Sequence, residues 1–248
     1  MKNYLKLLFI ASFSLLLSFC VSSHIKIKEL YYKAKNYQRA GDTKNAIACY
    51  KTIINSAEKE ELSPFLKVYY KAISYLEIGE EEKALKEIET ISRFSPKYRE
   101  EFLLLKSIYF QKSGFYEISK NISENLFNSK KREIKLSAAE IFSDSLISLL
   151  KTGIIDKKEY FSNIKKITKL LKKDFSSPLI HYYLFSLYLN GEEYKNALRE
   201  AIISLDFGMN GELKRDLLFS IKFILKKLPP EDKQKYTKLL RRYDATNN

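Results

Sequence analysis

Residues 72–96 indicate the fold of this chain most clearly, and their sequence is AISYLEIGEEEKALKEIETISRFSP. This segment holds a small residue at Ala72, an aromatic residue at Tyr75, a glycine at Gly79 and a second small residue at Ala84. Apolar residues recur at helical spacing on both sides of the glycine. Glycine enters positive φ without a Cβ clash, which suits a tight turn between two helices. The segment therefore predicts a helix, a turn at Gly79, and a second helix that ends before the closing proline.

The same arrangement recurs along the chain at a nearly constant interval. The turn glycines are separated by 38, 35, 39 and 38 residues, and they are Gly41, Gly79, Gly114, Gly153 and Gly191. Small residues stand seven positions before the first three glycines, at Ala34, Ala72 and Ser107. Aromatic residues stand four positions before the same glycines, at Tyr37, Tyr75 and Phe110. A fixed period of this length predicts an all-α stack of repeats rather than one globular core.

These columns resemble the tetratricopeptide repeat (TPR), a helix–turn–helix unit of about 34 residues. The resemblance covers residues 27–207, and the fifth unit fits after a one-residue slip, through Leu184, Tyr188, Tyr194 and Ala197. It implies a superhelical solenoid of about five TPR-like repeats. Residues 208–248, with helices expected over 212–227 and 230–243, would form a C-terminal capping pair.

In the TPR family the first helix of each repeat lines a concave wall that binds a peptide or protein partner. Carried over by position, the partner-binding residues would be Tyr31, Lys35, Gln38, Arg39, Tyr69, Ile73, Leu76, Leu104, Ile108 and Lys112. A segment with apolar anchors and an acidic flank would suit this mixed wall. The alternative is that these side chains only pack between helices.

The N-terminus carries an export pattern. Lys2 and Lys6 precede an apolar stretch over residues 7–17, and Cys20 follows Leu17 at the spacing of a bacterial lipobox. This resemblance predicts a signal peptide over 1–19, a lipidated Cys20 with a short tether over 20–26, and attachment to a bacterial membrane. The protein would be anchored at the outer membrane or its periplasmic face, or at the cell surface. Because Phe19 departs from the lipobox, an uncleaved anchor is the rival interpretation.

The excess of basic over acidic residues lies mainly in the C-terminal half of the chain. The formal net charge is +14, and residues 131–248 hold 23 basic against 15 acidic residues. Between 157 and 173 the apolar residues predict one buried helical stripe. The opposite face would carry Lys158, Lys165, Lys169 and Lys172, as a solvated face or as a docking surface for anionic lipid or an acidic partner. We do not expect a nucleic-acid partner.

Little in the sequence points to catalysis. The chain contains two histidines, His24 and His181, and no His/Cys/Asp cluster has metal-ligand spacing. Cys49 lies in a helical pattern and is expected to be a buried structural thiol. We therefore predict that the protein is not an enzyme, uses no cofactor or metal, and takes no small-molecule substrate. The function predicted is recognition of a protein or peptide in the cell envelope. The alternative is a structural or surface lipoprotein whose basic half contacts anionic lipid or cell-wall polymers.

Overall fold

The computed structural model describes residues 25–38, 40–59, 62–94, 96–171 and 176–244. Within these ranges the protein is all-α, with twelve α-helices and no β-strand, so the predicted fold class is confirmed. The helices are α1 (25–38), α2 (Thr43–Lys59), α3 (Pro64–Ile78), α4 (Glu81–Ile91), α5 (Arg99–Lys112), α6 (Tyr116–Asn125), α7 (Arg132–Lys151), α8 (Lys157–Leu171), α9 (Pro178–Asn190), α10 (Tyr194–Asp206), α11 (Gly211–Leu225) and α12 (Pro230–Asp244). None of these described helices combines the length and apolar character needed to cross a membrane.

Helix α3 shows how the sequence sets the bounds of these helices. The Ser63 hydroxyl accepts a hydrogen bond from the Leu66 amide at 3.3 Å, and the proline after Ser63 occupies the first turn. At the other end Gly79 adopts φ 80°. The amide of Glu80 then donates to the Tyr75 carbonyl at 2.9 Å, which satisfies a carbonyl of the last turn.

The same C-terminal turn recurs in the other repeats, as the glycine period predicts. Positive φ is observed at the first four turn glycines, with values of 75°, 80°, 82° and 72° at Gly41, Gly79, Gly114 and Gly153. The amide after each glycine donates to a carbonyl five residues earlier, in the pairs Asp42–Tyr37, Glu80–Tyr75, Phe115–Phe110 and Ile154–Leu149. The predicted helix–turn–helix units are therefore present at these four positions.

The fifth turn follows the one-residue slip predicted for this unit, but its left-handed residue is not the glycine. Gly191 has φ −80°, and the left-handed residue is Glu192, with φ 65°. The amide of Glu193 donates to the Tyr188 carbonyl at 2.9 Å, so the turn is the same but lies one residue later. Any larger residue at 191 would force a neighbouring side chain to shift, because a Cβ there would lie 2.7 Å from the ring of Phe161 and 3.2 Å from that of Tyr160.

The chain divides between Leu105 and Lys106 into two compact units. In the first unit α3 packs against both α2 and α4. The small residues predicted for the repeat columns, Ala46 on α2, Ala72 on α3 and Ala84 on α4, are all buried. Small side chains allow helix backbones to approach closely, which is the packing expected of these columns.

In the second unit the small column contains serines in place of alanines. Ser107 and Ser119 exchange hydrogen bonds, each hydroxyl donating to the other residue's carbonyl at 3.1 and 2.9 Å. The Ser145 hydroxyl on α7 donates to the Ser119 hydroxyl at 3.1 Å. All three serines are buried, and these bonds satisfy hydroxyls that would otherwise be costly to bury.

The C-terminal helices share a core with the helix pair before them. Leu217, Ile221 and Ile224 of α11 and Leu240 of α12 are buried in one cluster with residues of α9 and α10, including Leu198. The two predicted helices are confirmed, with α11 running from 211 to 225 rather than 212 to 227.

Candidate partner-binding surfaces

Two of the predicted wall residues in the first unit bind a carboxylate of the same unit. The Lys35 ammonium lies 3.0 Å from Glu77 Oε1, and the Gln38 amide donates to Glu77 Oε2 at 3.0 Å. The Tyr50 hydroxyl donates to the side-chain Oε1 of Gln38 at 3.3 Å. The Glu77 side chain is only 4% exposed, so its charge needs these donors. Lys35 and Gln38 therefore join α1 to α3.

The aromatic wall residues of the first unit are half-buried. Tyr31 makes edge-on contacts with Tyr32 and Tyr50, with ring centroids 6.2 Å apart in both cases. Tyr69 lies 5.8 Å from the ring of Phe65. Part of each ring reaches solvent, and these two tyrosines are the wall aromatics that a partner could contact.

The prediction that the apolar wall residues form a binding surface is wrong. Ile73, Leu76, Leu104 and Ile108 are all buried, so none of them presents an open side chain to a partner. Ile73 and Leu76 lie on α3, which packs against both α2 and α4, so their apolar side chains contribute to the core. Lys112, the last residue carried over from the family, is exposed.

Three predicted site residues lie outside the described parts of the chain. They are the lipidation residue Cys20, the wall residue Arg39 and the basic residue Lys172. Their predicted roles stay predictions.

Helix α8 has the two faces predicted for it. Its apolar stripe is buried or half-buried, with Tyr160, Ile164 and Ile167 almost fully covered. The Tyr160 hydroxyl donates to the Leu187 carbonyl at 2.7 Å, and burial raises the pKa of this phenol. The described members of the basic set, Lys158, Lys165 and Lys169, are exposed.

Two further lysines of α8 form ion pairs within the second unit. Lys157 lies 2.5 Å from Glu192, and Lys166 lies 2.5 Å from Glu124. The hydrogen bond between Lys157 and Glu192 raises the pKa of the lysine and lowers that of the carboxyl. Lys157, Glu192 and Lys166 are exposed, and ion pairs at such positions contribute little to stability.

Helix α11 carries an exposed surface that the sequence analysis missed. Phe219 is 77% exposed and Phe223 is 50% exposed, on the side of the helix opposite Leu217 and Ile221. We define the α11 face as the two phenylalanines together with Arg215, Lys222, Lys226 and Lys227. The available signal was the spacing, because 215, 219, 222 and 223 fall about half a turn from the apolar stripe; Lys226 and Lys227 follow the last residue of the helix, Leu225.

Side chains with catalytic or metal-binding chemistry are sparse in the described residues. His181 Nδ1 lies 2.6 Å from Glu200 Oε2, and its ring stacks on Phe207 with centroids 5.4 Å apart. No group of three or more His, Cys, Asp and Glu residues in the described ranges could hold a metal ion. Cys49 is a free, half-buried thiol rather than the fully buried one expected.

Comparison with known proteins assigns no family to the chain. No protein-family model matches it, and searches of curated proteins and of solved structures found no significant match. The proposals below therefore depend on the fold and on the surfaces described above.

Proposed function

We propose that this protein is a TPR-type adaptor that binds a protein or peptide partner in the cell envelope, held at a membrane by lipid on Cys20. The observation that supports it best is the recurrent turn, in which Gly41, Gly79, Gly114 and Gly153 follow every second helix (α1, α3, α5 and α7) with the same hydrogen bond. Repeats of this kind bury each helix pair against its neighbours and leave an extended surface for recognition.

The binding surface proposed in the first unit is smaller and more polar than the sequence predicts. It keeps the half-exposed rings of Tyr31 and Tyr69, and Lys35 and Gln38 contribute mainly by holding Glu77. Tyrosine is a frequent energetic anchor of interfaces because its ring gives contact area and its hydroxyl gives a hydrogen bond. A partner segment with an apolar anchor would suit this surface.

Photo-crosslinking in intact envelope tests this surface. Tyr31 and Tyr69 are each replaced by a photoreactive phenylalanine derivative, which preserves the ring and its packing. The matched control is the same replacement at Tyr32, the exposed neighbour of Tyr31 on α1. We expect adducts to one common protein from positions 31 and 69 and none from position 32.

The adaptor proposal is wrong for this surface if positions 31 and 69 give no common adduct, or if position 32 gives the same one. Circular dichroism of each variant shows whether the helices are retained. Adducts should also persist at high salt, because an aromatic contact is insensitive to ionic screening.

A second function, contact of the basic half with anionic lipid or cell-wall polymer, is favoured by the exposure of Lys158, Lys165 and Lys169 on α8. These cations are accessible to an extended anionic surface. Loss of the protein's association with envelope at high salt would favour this function over the adaptor, since exposed charges are screened within about 10 Å at 0.1 M salt.

A further inference from the structure

The two exposed phenylalanines of the α11 face are held outward by the core. Leu217, Ile221 and Ile224 bury the opposite side of the helix in the C-terminal cluster, so the helix has no freedom to turn its aromatic side inward. Phe219 and Phe223 are four residues apart and therefore adjacent on the helix surface. Two neighbouring exposed phenylalanines on a fixed helix form an apolar patch in contact with water, which is unfavourable unless something covers it.

Three lysines flank the C-terminal side of this aromatic patch. Lys222, Lys226 and Lys227 lie beside the rings, and the Lys227 ammonium is 5.7 Å from the centroid of Phe223. Arg215 lies one turn before Phe219 and binds Glu212 at 2.6 Å. The sequence contains no acidic residue from 217 to 230, so the face is cationic and aromatic from Phe219 onward, while the exposed Asp216 lies one turn before Phe219 on the same side of the helix.

We propose that the α11 face docks onto the surface of an anionic lipid bilayer. Phenylalanine rings enter the boundary between headgroups and acyl chains, while lysine stems extend along them and keep their charges at the anionic headgroups. This inference goes beyond the adaptor function and rests on the second proposed function, contact of the basic half with anionic lipid, which it assigns to α11 instead of the lysines of α8.

The charge and shape of the face favour a bilayer over the other occupants. A second copy of the chain would bring two cationic faces together, which opposes self-association. A 77% exposed Phe219 stands out from the helix, so it can enter a soft lipid surface without a shaped pocket on the other side.

The absence of tryptophan from the chain allows a local test in the full-length protein. Phe219→Trp places a single indole on the α11 face, and Phe223→Trp provides a second reporter. Phe115→Trp is the matched control, since Phe115 is 56% exposed at the N-cap of α6 in the same unit. Each variant is titrated with phosphatidylcholine vesicles with or without phosphatidylglycerol, and some vesicles carry brominated acyl chains as quenchers.

We expect the emission at positions 219 and 223 to shift to the blue and to be quenched by brominated chains, with phosphatidylglycerol vesicles and at low salt. Emission at position 115 should stay unchanged. The N-terminal apolar segment can enter either kind of vesicle, but the indole responds only if α11 itself reaches the lipid. Replacing Lys222, Lys226 and Lys227 by Gln in the Phe219→Trp protein should weaken the response by about tenfold or more.

The matched charge control replaces Lys158, Lys165 and Lys169 by Gln in the same background and should leave most of the response intact. The proposal is overturned if position 219 does not respond, or if both lysine triples weaken the response equally. Equal responses to uncharged and anionic vesicles would also overturn it. A blue shift that grows with protein concentration without vesicles would assign the face to a second copy instead.

The crosslinking at Tyr31 and Tyr69 tests a different unit, so the two proposals can fail separately.

Discussion

Glycine has two different roles in this chain. At Gly41, Gly79, Gly114 and Gly153 a Cβ would meet no atom within 4 Å, so the glycine is needed for its positive φ and not for space. At Gly191 the backbone is right-handed, and the glycine is needed because Phe161 lies against it. One residue type therefore satisfies a backbone requirement in four turns and a packing requirement in the fifth.

Gly191→Ala should lower the free energy of unfolding by about 1–3 kcal/mol, because its methyl group overpacks against the Phe161 ring. The measurement is urea unfolding followed by circular dichroism, in the wild type and in a Phe161→Leu background. The shorter leucine should remove part of the cost, giving a measurable coupling in the double-mutant cycle.

The matched control is Gly79→Ala, where the strain comes from φ 80° and costs about 1–2 kcal/mol. This cost should be the same with Phe161 or with leucine at 161, because no ring meets a Cβ at 79. Equal coupling of both glycines to position 161 would show that the contact at Gly191 is not the source of the cost.

The helices of each unit meet through small side chains, which are alanines in the first unit and hydrogen-bonded serines in the second. In the first unit Ala72 and Ala84 are buried on α3 and α4, and methyl groups suffice. In the second unit Ser107 and Ser119 occupy the same columns and exchange hydrogen bonds, and Ser145 adds a third hydroxyl. The residues in these columns therefore have similar small volumes in both units, but only the serines of the second unit form hydrogen bonds.

Ala84→Leu should destabilise the α3–α4 pair by about 1–3 kcal/mol, because the larger side chain does not fit in a fully buried position. The control is Ala48→Leu, at an exposed position of α2, which should change stability by no more than about 0.5 kcal/mol. Thermal unfolding of both variants makes the comparison. Equal melting temperatures for the two would contradict the assignment of Ala84 to the helix contact.

Across the whole molecule the basic charge is unevenly distributed. The net charge is +14, and residues 131–248 carry 23 basic against 15 acidic groups. The exposed lysines of α8 and the α11 face belong to this half. Stable attachment to a membrane commonly needs two signals, such as an acyl chain and a basic patch. The proposed lipid on Cys20 and the proposed α11 contact would together supply both.

Cys20→Ser should abolish labelling by a radioactive fatty acid and leave an unprocessed precursor of higher mass. The physical reason is that the thiol carries the acyl chain and defines the cleavage position. Intact mass measurement of the wild type is the companion experiment, and a mature chain that starts elsewhere without an acyl adduct would disprove lipidation. Cys49→Ser is the control, and it should leave both the fatty-acid labelling and the cleavage of the precursor unchanged.

Much of the fold could be predicted because it depends on short-range properties of the chain. The turns at Gly41 to Gly153 follow from which residues enter positive φ, and the bounds of α3 follow from Ser63, a proline and Gly79. The buried stripe of α8 follows from helical periodicity. These features need no knowledge of which helix lies next to which.

The surfaces could not be predicted in the same way, because exposure depends on which neighbouring helix covers a face. Ile73 and Leu76 fit the family's binding positions but are buried, whereas Phe219 and Phe223 are large apolar residues, a type that is often buried, and they are exposed. Glu77 meets Lys35 across 42 residues of sequence, a pairing that no local pattern contains. Periodicity identifies the sides of a helix, and packing between distant segments then determines which side faces water.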